Sequence, residues 1–207
     1  MKYRIVVCYV SLWAAALTGC SNAQGEGDAL TAEDLGGLDP ETVRAEAIQK
    51  FGVLPDVQAN SKRPLTDAKT TLGRQLFYEK RLSKNQDLAC NTCHDLNAYG
   101  VDRRSGSVKT SLGHRGQLGT RNAPTVYNAA RHVAQFWDGR AVDVEEQAKG
   151  PILNPVEMAL PNAAAVVSML KSIPGYMPLF QAAFPGVKDP ITYDNVGKAL
   201  GTFERGL

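Results

Sequence analysis

Cys90-Asn91-Thr92-Cys93-His94 is the densest chemistry in the 207-residue chain. Two thiols three positions apart, followed at once by an imidazole, form C-x-x-C-H, the attachment pattern of c-type haem. On one helical turn, residues three and four apart share a face. Both thiols can then reach two vinyl groups while the adjacent imidazole turns beneath the iron. Two other chemistries also use paired cysteines. A thioredoxin-like redox pair needs strands around it, and no run of strict apolar–polar alternation is present. A four-ligand zinc site needs more donors than this turn supplies. The pattern therefore points to one covalent haem c on Cys90 and Cys93, with His94 as an axial iron ligand.

The second axial position separates catalysis from electron carriage. His114 and His132 are the other histidines. His114 sits in Ser111-Leu112-Gly113-His114-Arg115-Gly116, a Gly-flanked loop that could swing a side chain over the iron. His132 follows a helix-like segment, where an imidazole can simply interact with the last carbonyls. Met158, Met169 and Met177 offer thioethers instead, although Met169 falls in an amphipathic segment and suits a core. The residues alone leave this choice open.

The elements that must position these groups read as helices and loops. Asp39-Pro40-Glu41 places an N-cap ahead of Pro, predicting a helix to Lys50 with Gly52 past its end. Leu65–Lys80 carries Leu72, Leu76 and Phe77 at helical spacing, capped by Thr66 or Asp67. Asn122–Ala130, Asp143–Gly150, Pro161–Ile173, Tyr176–Phe184 and Tyr193–Leu207 complete the predicted set, broken at Gly150-Pro151, Pro155, Pro174-Gly175 and Pro185-Gly186. Long loops over 96–121 and 136–142 interrupt it, and loops of that length in a small helical domain usually serve a ligand. The expectation is an all-α, c-type cytochrome-like haem domain over residues 40–207.

Composition fits one globular domain: 43% hydrophobic and 21% charged. Lys2 and Arg4 precede the apolar run Ile5–Leu17, which is shorter than the roughly 20 residues a spanning helix needs. It suits an export signal. Leu17-Thr18-Gly19-Cys20 looks like a bacterial lipoprotein signal over 1–19, with Cys20 as the acylated new N-terminus and 20–39 as a polar, Gly-rich tether. The expected location is the periplasmic side of the envelope, anchored by lipid, and Ser21 favours the outer membrane. Taking Lys2 and Arg4 from the 23 cations leaves 21 against 21 acids, which gives no footprint for nucleic acid.

Several stretches together resemble the bacterial dihaem cytochrome c peroxidases and their methylamine-utilisation relatives. They are Leu72-Gly73-Arg74-Gln75-Leu76-Phe77, the haem motif, Arg121-Asn122-Ala123-Pro124-Thr125 and Gln135-Phe136-Trp137-Asp138-Gly139-Arg140-Ala141. Further along come Glu145-Glu146-Gln147-Ala148, Asn154-Pro155-Val156-Glu157-Met158 and Ala199-Leu200-Gly201-Thr202-Phe203-Glu204-Arg205. The resemblance implies the low-potential, peroxide-reacting haem domain, with His94 proximal and His114 as the distal ligand that blocks the iron at rest and leaves on activation. It implies Gln147 and Glu157 as the polar pair of the vacated pocket, Trp137 as the aromatic between two haems, and Asn122 as a calcium ligand. It also implies hydrogen peroxide as substrate and a small cytochrome c or cupredoxin as electron donor.

The chemistry of these residues agrees with those roles. Cleaving a peroxide heterolytically moves a proton from the inner to the outer oxygen, which a carboxylate such as Glu157 can do. Gln147 cannot ionise and can only orient or stabilise by hydrogen bonding. An indole such as Trp137 supports one-electron hopping. Asn122 serves equally well as a helix N-cap before Pro124.

Members of the family continue for about as long again through a second haem domain, whereas this sequence stops at Leu207. Three expectations follow. One is a truncated peroxidase domain. Another is a single-haem electron-transfer lipoprotein without peroxidase activity. The third is a half completed by a separate second-haem subunit or a second copy, with an apolar face left where that domain packs.

Overall fold

A computed structural model of the chain describes residues 36–53, 64–104 and 110–207. The export signal, Cys20 and nearly all of the tether lie outside the described residues. Two compact units divide the chain, residues 1–54 and 55–207. The first contains helix α1, Pro40–Phe51, which begins as the sequence predicts: Asp39 accepts the Thr42 N–H at 2.8 Å, and Pro40 opens the first turn, where its missing donor costs nothing. Gly52, at φ 73°, ends it.

The second unit is all helix and loop, with no strand among the described residues. Its helices are α2 Asp67–Phe77, α3 Cys90–Cys93, α4 Val144–Leu153, α5 Ala163–Lys171, α6 Tyr176–Ala183 and α7 Tyr193–Glu204. Each long helix except α6 starts on a side-chain cap: Thr66, Asp143, Asn162 and Thr192 each accept an N–H of the first turn.

Helix α7 is the spine. Leu72, Leu76 and Phe77 of α2 pack against Val196, Ala199, Leu200 and Phe203 of α7, with Ile152, Val166, Leu170 and Phe180 closing the core. The crossings are close because three glycines leave room. A Cβ on Gly73 would lie 2.0 Å from the Ala199 carbonyl oxygen, and one on Gly201 would lie 2.5 Å from Glu145 Cγ. A Cβ on Gly197 would meet the Glu145 carbonyl at 2.6 Å.

Three predicted elements are corrected. Residues 122–130 form no α-helix, only a 3₁₀ turn at Ala129–Arg131. Pro124 lacks an N–H and disfavours the helical region at Ala123, and Asn128 sits in the left-handed region at φ 57°. His132 then follows that turn, exposed, and caps it with its main-chain N–H on the Ala129 carbonyl. In contrast, Gly150-Pro151 does not break α4, which runs on to Leu153. The usual clash of a proline ring with the preceding Cβ is absent because that residue is glycine. The last helix is also shorter than predicted, stopping at Glu204.

The loops that interrupt the helices are closed by isolated bridges: Asp95 with Val101, Leu112 with Leu118, and Gln135 with Ala141. Each encloses or flanks a candidate group, respectively His94, His114 and Trp137.

Candidate functional site

The haem motif forms one short helical turn. Thr92 Oγ1 accepts the Ala89 N–H at 2.8 Å, fastening the start of the turn, and the His94 N–H returns to the Cys90 carbonyl at 3.0 Å. Both cysteines are free thiols. Burial pushes the Cys90 thiol up to about 12, with the charge of Glu204 adding to it; Cys93 is also raised by burial, against the pull of Arg104. His94 Nδ1 lies 3.2 Å from the Gly100 carbonyl, to which it donates as the neutral tautomer. Burial lowers the His94 pKa, opposed by the Gly100 and Pro124 carbonyls, so the ring is neutral. Nε2 is then the nitrogen with a free lone pair, the arrangement in which a second hydrogen bond fixes a ligating imidazole.

Cys90, Cys93 and His94 open onto a cavity of about 350 Å³ whose apolar walls include Phe77, Leu88, Val126, Ala148 and Pro151. The same cavity is lined by Asn122, Trp137, Gln147 and Glu157. The structure thus brings together seven of the residues singled out from sequence, contributed by α3, α4 and three loops. Two thiols and a neutral imidazole on one turn, facing a partly apolar cavity, match the donor set and shape that haem c requires.

Glu157 stands on a turn after α4. Asn154 builds that turn, accepting the Val156 N–H at 3.0 Å and donating from Nδ2 to Glu157 Oε1 at 3.0 Å. Burial raises the Glu157 carboxyl above the usual range, against the Arg140 charge and the Asn154 bond. Gln147, half-buried on α4, has no such titration. Trp137 is 65% exposed at the cavity rim, with its indole N–H donated to the Asn122 carbonyl at 2.8 Å. Beside it Arg140 lies 3.5 Å over the Phe136 ring and bonds both Asp138 oxygens, of which Oδ2 also accepts from Arg121.

His114 is buried, 6% exposed, with Nδ1 making no hydrogen bond, and its side chain is not part of the cavity wall. Its main-chain N–H instead reaches the Val156 and Glu157 carbonyls at 3.0 and 2.8 Å. Gly113 makes that approach feasible, since a Cβ there would lie 2.0 Å from the Val156 oxygen. Arg104 fastens the same loop: it forks onto Asp102, donates to the Leu112 carbonyl at 3.1 Å, and reaches Cys93 Sγ at 3.4 Å. Of the methionines, Met158 is buried in the cavity wall, whereas Met169 and Met177 pack against the core. Asn122 is exposed, and no group of three or more His, Cys, Asp or Glu gathers among the described residues, so calcium there rests on resemblance alone.

Two wall residues carry signals that sequence reasoning passed over. Arg140 belongs to the Trp137 loop. Glu204 follows Val196 and Leu200 at spacings of four, an acid on a buried helical face, and is 5% exposed.

The fold and this constellation define an all-α cytochrome c-like haem domain. A sequence profile of the di-haem cytochrome c peroxidases matches residues 67–207, and the chain belongs to that family. It is 46% identical over 145 residues to cytochrome c551 peroxidase of Pseudomonas aeruginosa, covering 70% of this chain and 40% of that protein. It is 38% identical over 210 residues to the methylamine utilization protein MauG of Methylorubrum extorquens, covering 100% of this chain and 54% of that one. Among solved structures, a MauG-like protein associated with microbial copper homeostasis superposes with a TM-score of 0.66 at 32% identity, covering 74% of this chain and 44% of that one. The chain therefore spans about half or less of the length of these relatives.

Proposed function

We propose that this chain is the peroxide-reacting domain of such a peroxidase, reducing hydrogen peroxide to water with electrons from a small cytochrome c or cupredoxin. The carrying observation is that Glu157 and Gln147 line the same cavity as Cys90, Cys93 and His94. Haem c held there supplies the iron at which the oxygen–oxygen bond is broken and through which electrons pass. His94 presents Nε2 as its ligand. Glu157 takes the proton of the inner peroxide oxygen and delivers it to the outer one, which leaves as water. Gln147 donates a hydrogen bond that holds the peroxide in line. Trp137, at the rim and braced by the Asn122 carbonyl, is the electron's way in. His114, whose main-chain N–H is bonded to the Glu157 turn, would be a second, releasable ligand to the iron. Asn122 would supply one oxygen ligand to calcium, with the other ligands coming from elsewhere. The exposed Trp137 and Val142 suit a face completed by a second haem domain, in this polypeptide or another. The chain works on the periplasmic side, lipid-anchored through Cys20.

The test is spectroscopic. Haem-loaded protein is expected to show a covalent haem in the pyridine assay and a spectrum that shifts on adding hydrogen peroxide. A low-spin spectrum unmoved by peroxide under both oxidised and half-reduced conditions would favour the electron carrier instead. Replacing His114 with Gly is expected to raise ferric cyanide affinity by about tenfold or more, as when a competent state populated at about 10% becomes dominant. An unchanged spectrum and affinity would assign the position to another donor, Met158 being the thioether in the wall.

A further inference from the structure

Helix α7 ends at the cavity with three buried ionisable groups and one positive charge. Arg205 donates from Nε and Nη2 to the two carboxylate oxygens of Glu145 at 2.9 and 2.7 Å, and both side chains are almost fully buried. That fork engages Arg205 with Glu145. Glu204, the adjacent residue, is buried in the cavity wall, 5% exposed, while the neighbouring guanidinium is committed to Glu145. The trio is electrically neutral only when Glu204 carries a proton. Burial pushes it up to about 8, the Glu145 charge adds, and Arg205 opposes.

The other charged groups around α7 are paired elsewhere or exposed, Asp67 among the latter, and Arg121, Asp138 and Arg140 of the same cavity wall bond one another. Lys69 lies over the Phe184 ring, Arg74 is exposed, and Lys149 reaches Glu146 and Asp194. Lys171 pairs with Asp189, and Arg131 donates to Asn128. Within the cavity the two carboxyls act on different thiols: Glu204 on Cys90, and Glu157 on Cys93. Glu204 therefore borders the Cys90 side of the cavity and Glu157 the Cys93 side.

We propose that Glu204 is a redox-linked proton site: it binds a proton from cavity water when the haem-loaded chain accepts an electron, and releases that proton when the electron leaves. The inference rests on the covalent-haem reading above. The electron comes from a one-electron donor, in the cell a small redox protein, and one proton accompanies it at most. A buried carboxyl with no cation of its own answers directly to a unit change of charge across the same cavity, since the field there is little screened. Uptake of the proton keeps the cavity's net charge constant, so the electron is accepted more readily at low pH.

The experiment is a spectroelectrochemical titration of the haem-loaded full chain from pH 5.5 to 9.5, with Glu204→Gln and Glu157→Gln alongside. The expected wild-type potential falls as pH rises around 8. The limit is a tenfold change in the reduction equilibrium per pH unit, about 59 mV for one electron. Glu204→Gln is expected to abolish that limb, and Glu157→Gln to keep it. A pH-independent wild-type potential, or an unaltered limb in Glu204→Gln, would overturn the proposal. Should Glu204→Gln not fold, redox-difference infrared spectra of wild type and Glu157→Gln decide. Both are expected to show a protonated-carboxyl band that changes on reduction, and its absence from either overturns the proposal. Failure to bind haem at all, read by the pyridine assay, would defeat the underlying reading rather than this one.

Discussion

Replacing Glu157 with Gln is expected to slow peroxide consumption by the haem-loaded chain by about 10²–10⁴-fold, the usual contribution of a positioned proton carrier. The substitution keeps the size of the side chain and leaves an oxygen for the Asn154 amide, so the turn that carries it survives. What it removes is a base that can take a proton from one peroxide oxygen and return it to the other. The pH profile gives an independent check. Glu157 must be ionised to accept the proton, and burial has raised its pKa. The wild-type rate is therefore expected to climb as pH rises through that raised value and to fall away below it. The variant should lose this limb. Stopped-flow mixing with peroxide and an artificial one-electron donor measures both effects. A variant retaining wild-type rate and profile would remove Glu157 from the mechanism.

Arg205→Met is expected to cost about 3–5 kcal/mol of folding stability, the range for withdrawing one partner from a buried ion pair. Arg205 and Glu145 join the end of α7 to the start of α4 through a two-bond fork in a nearly dry environment. With the guanidinium gone, Glu145 remains beside Gly197 and Gly201, where the helices are too close for rearrangement. Glu204 also loses the one charge that lowers its pKa, and is driven further toward its neutral form. Replacing both partners by apolar residues of similar volume should restore much of the stability. Urea unfolding of wild type, Arg205→Met and the double replacement reads this directly. A loss under about 1 kcal/mol in Arg205→Met would mean that water reaches the pair.

Much of this molecule is legible without coordinates, for identifiable reasons. Caps at Asp39, Thr66, Asp143, Asn162 and Thr192 are local, since each side chain bonds an N–H three positions on, so helix starts follow from neighbouring residues. The haem turn is likewise local, because its spacing alone puts two thiols and an imidazole on one face. Gly150-Pro151 and 122–130 depart from the sequence pattern because each depends on a detail below it: a missing Cβ before one proline, and a proline within the first turn of the expected helix.

The charge bookkeeping hides Glu204 altogether. In sequence it is one acid among 21, and only its position on the buried face of α7 hints at anything.

Sequence by itself determined the all-helical class, and it nominated Cys90, Cys93 and His94 for haem c and Gln147 and Glu157 as the candidate pair. Tertiary structure alone decided which of these share a cavity. It placed Met158 in the wall and His114 beside it, and it turned Glu204 toward the haem motif 110 positions away. Spacing governs what a few residues can do together on one turn. Burial, close helix crossings and the pairing of charges are properties of segments far apart in the chain, and they exist only once it has packed.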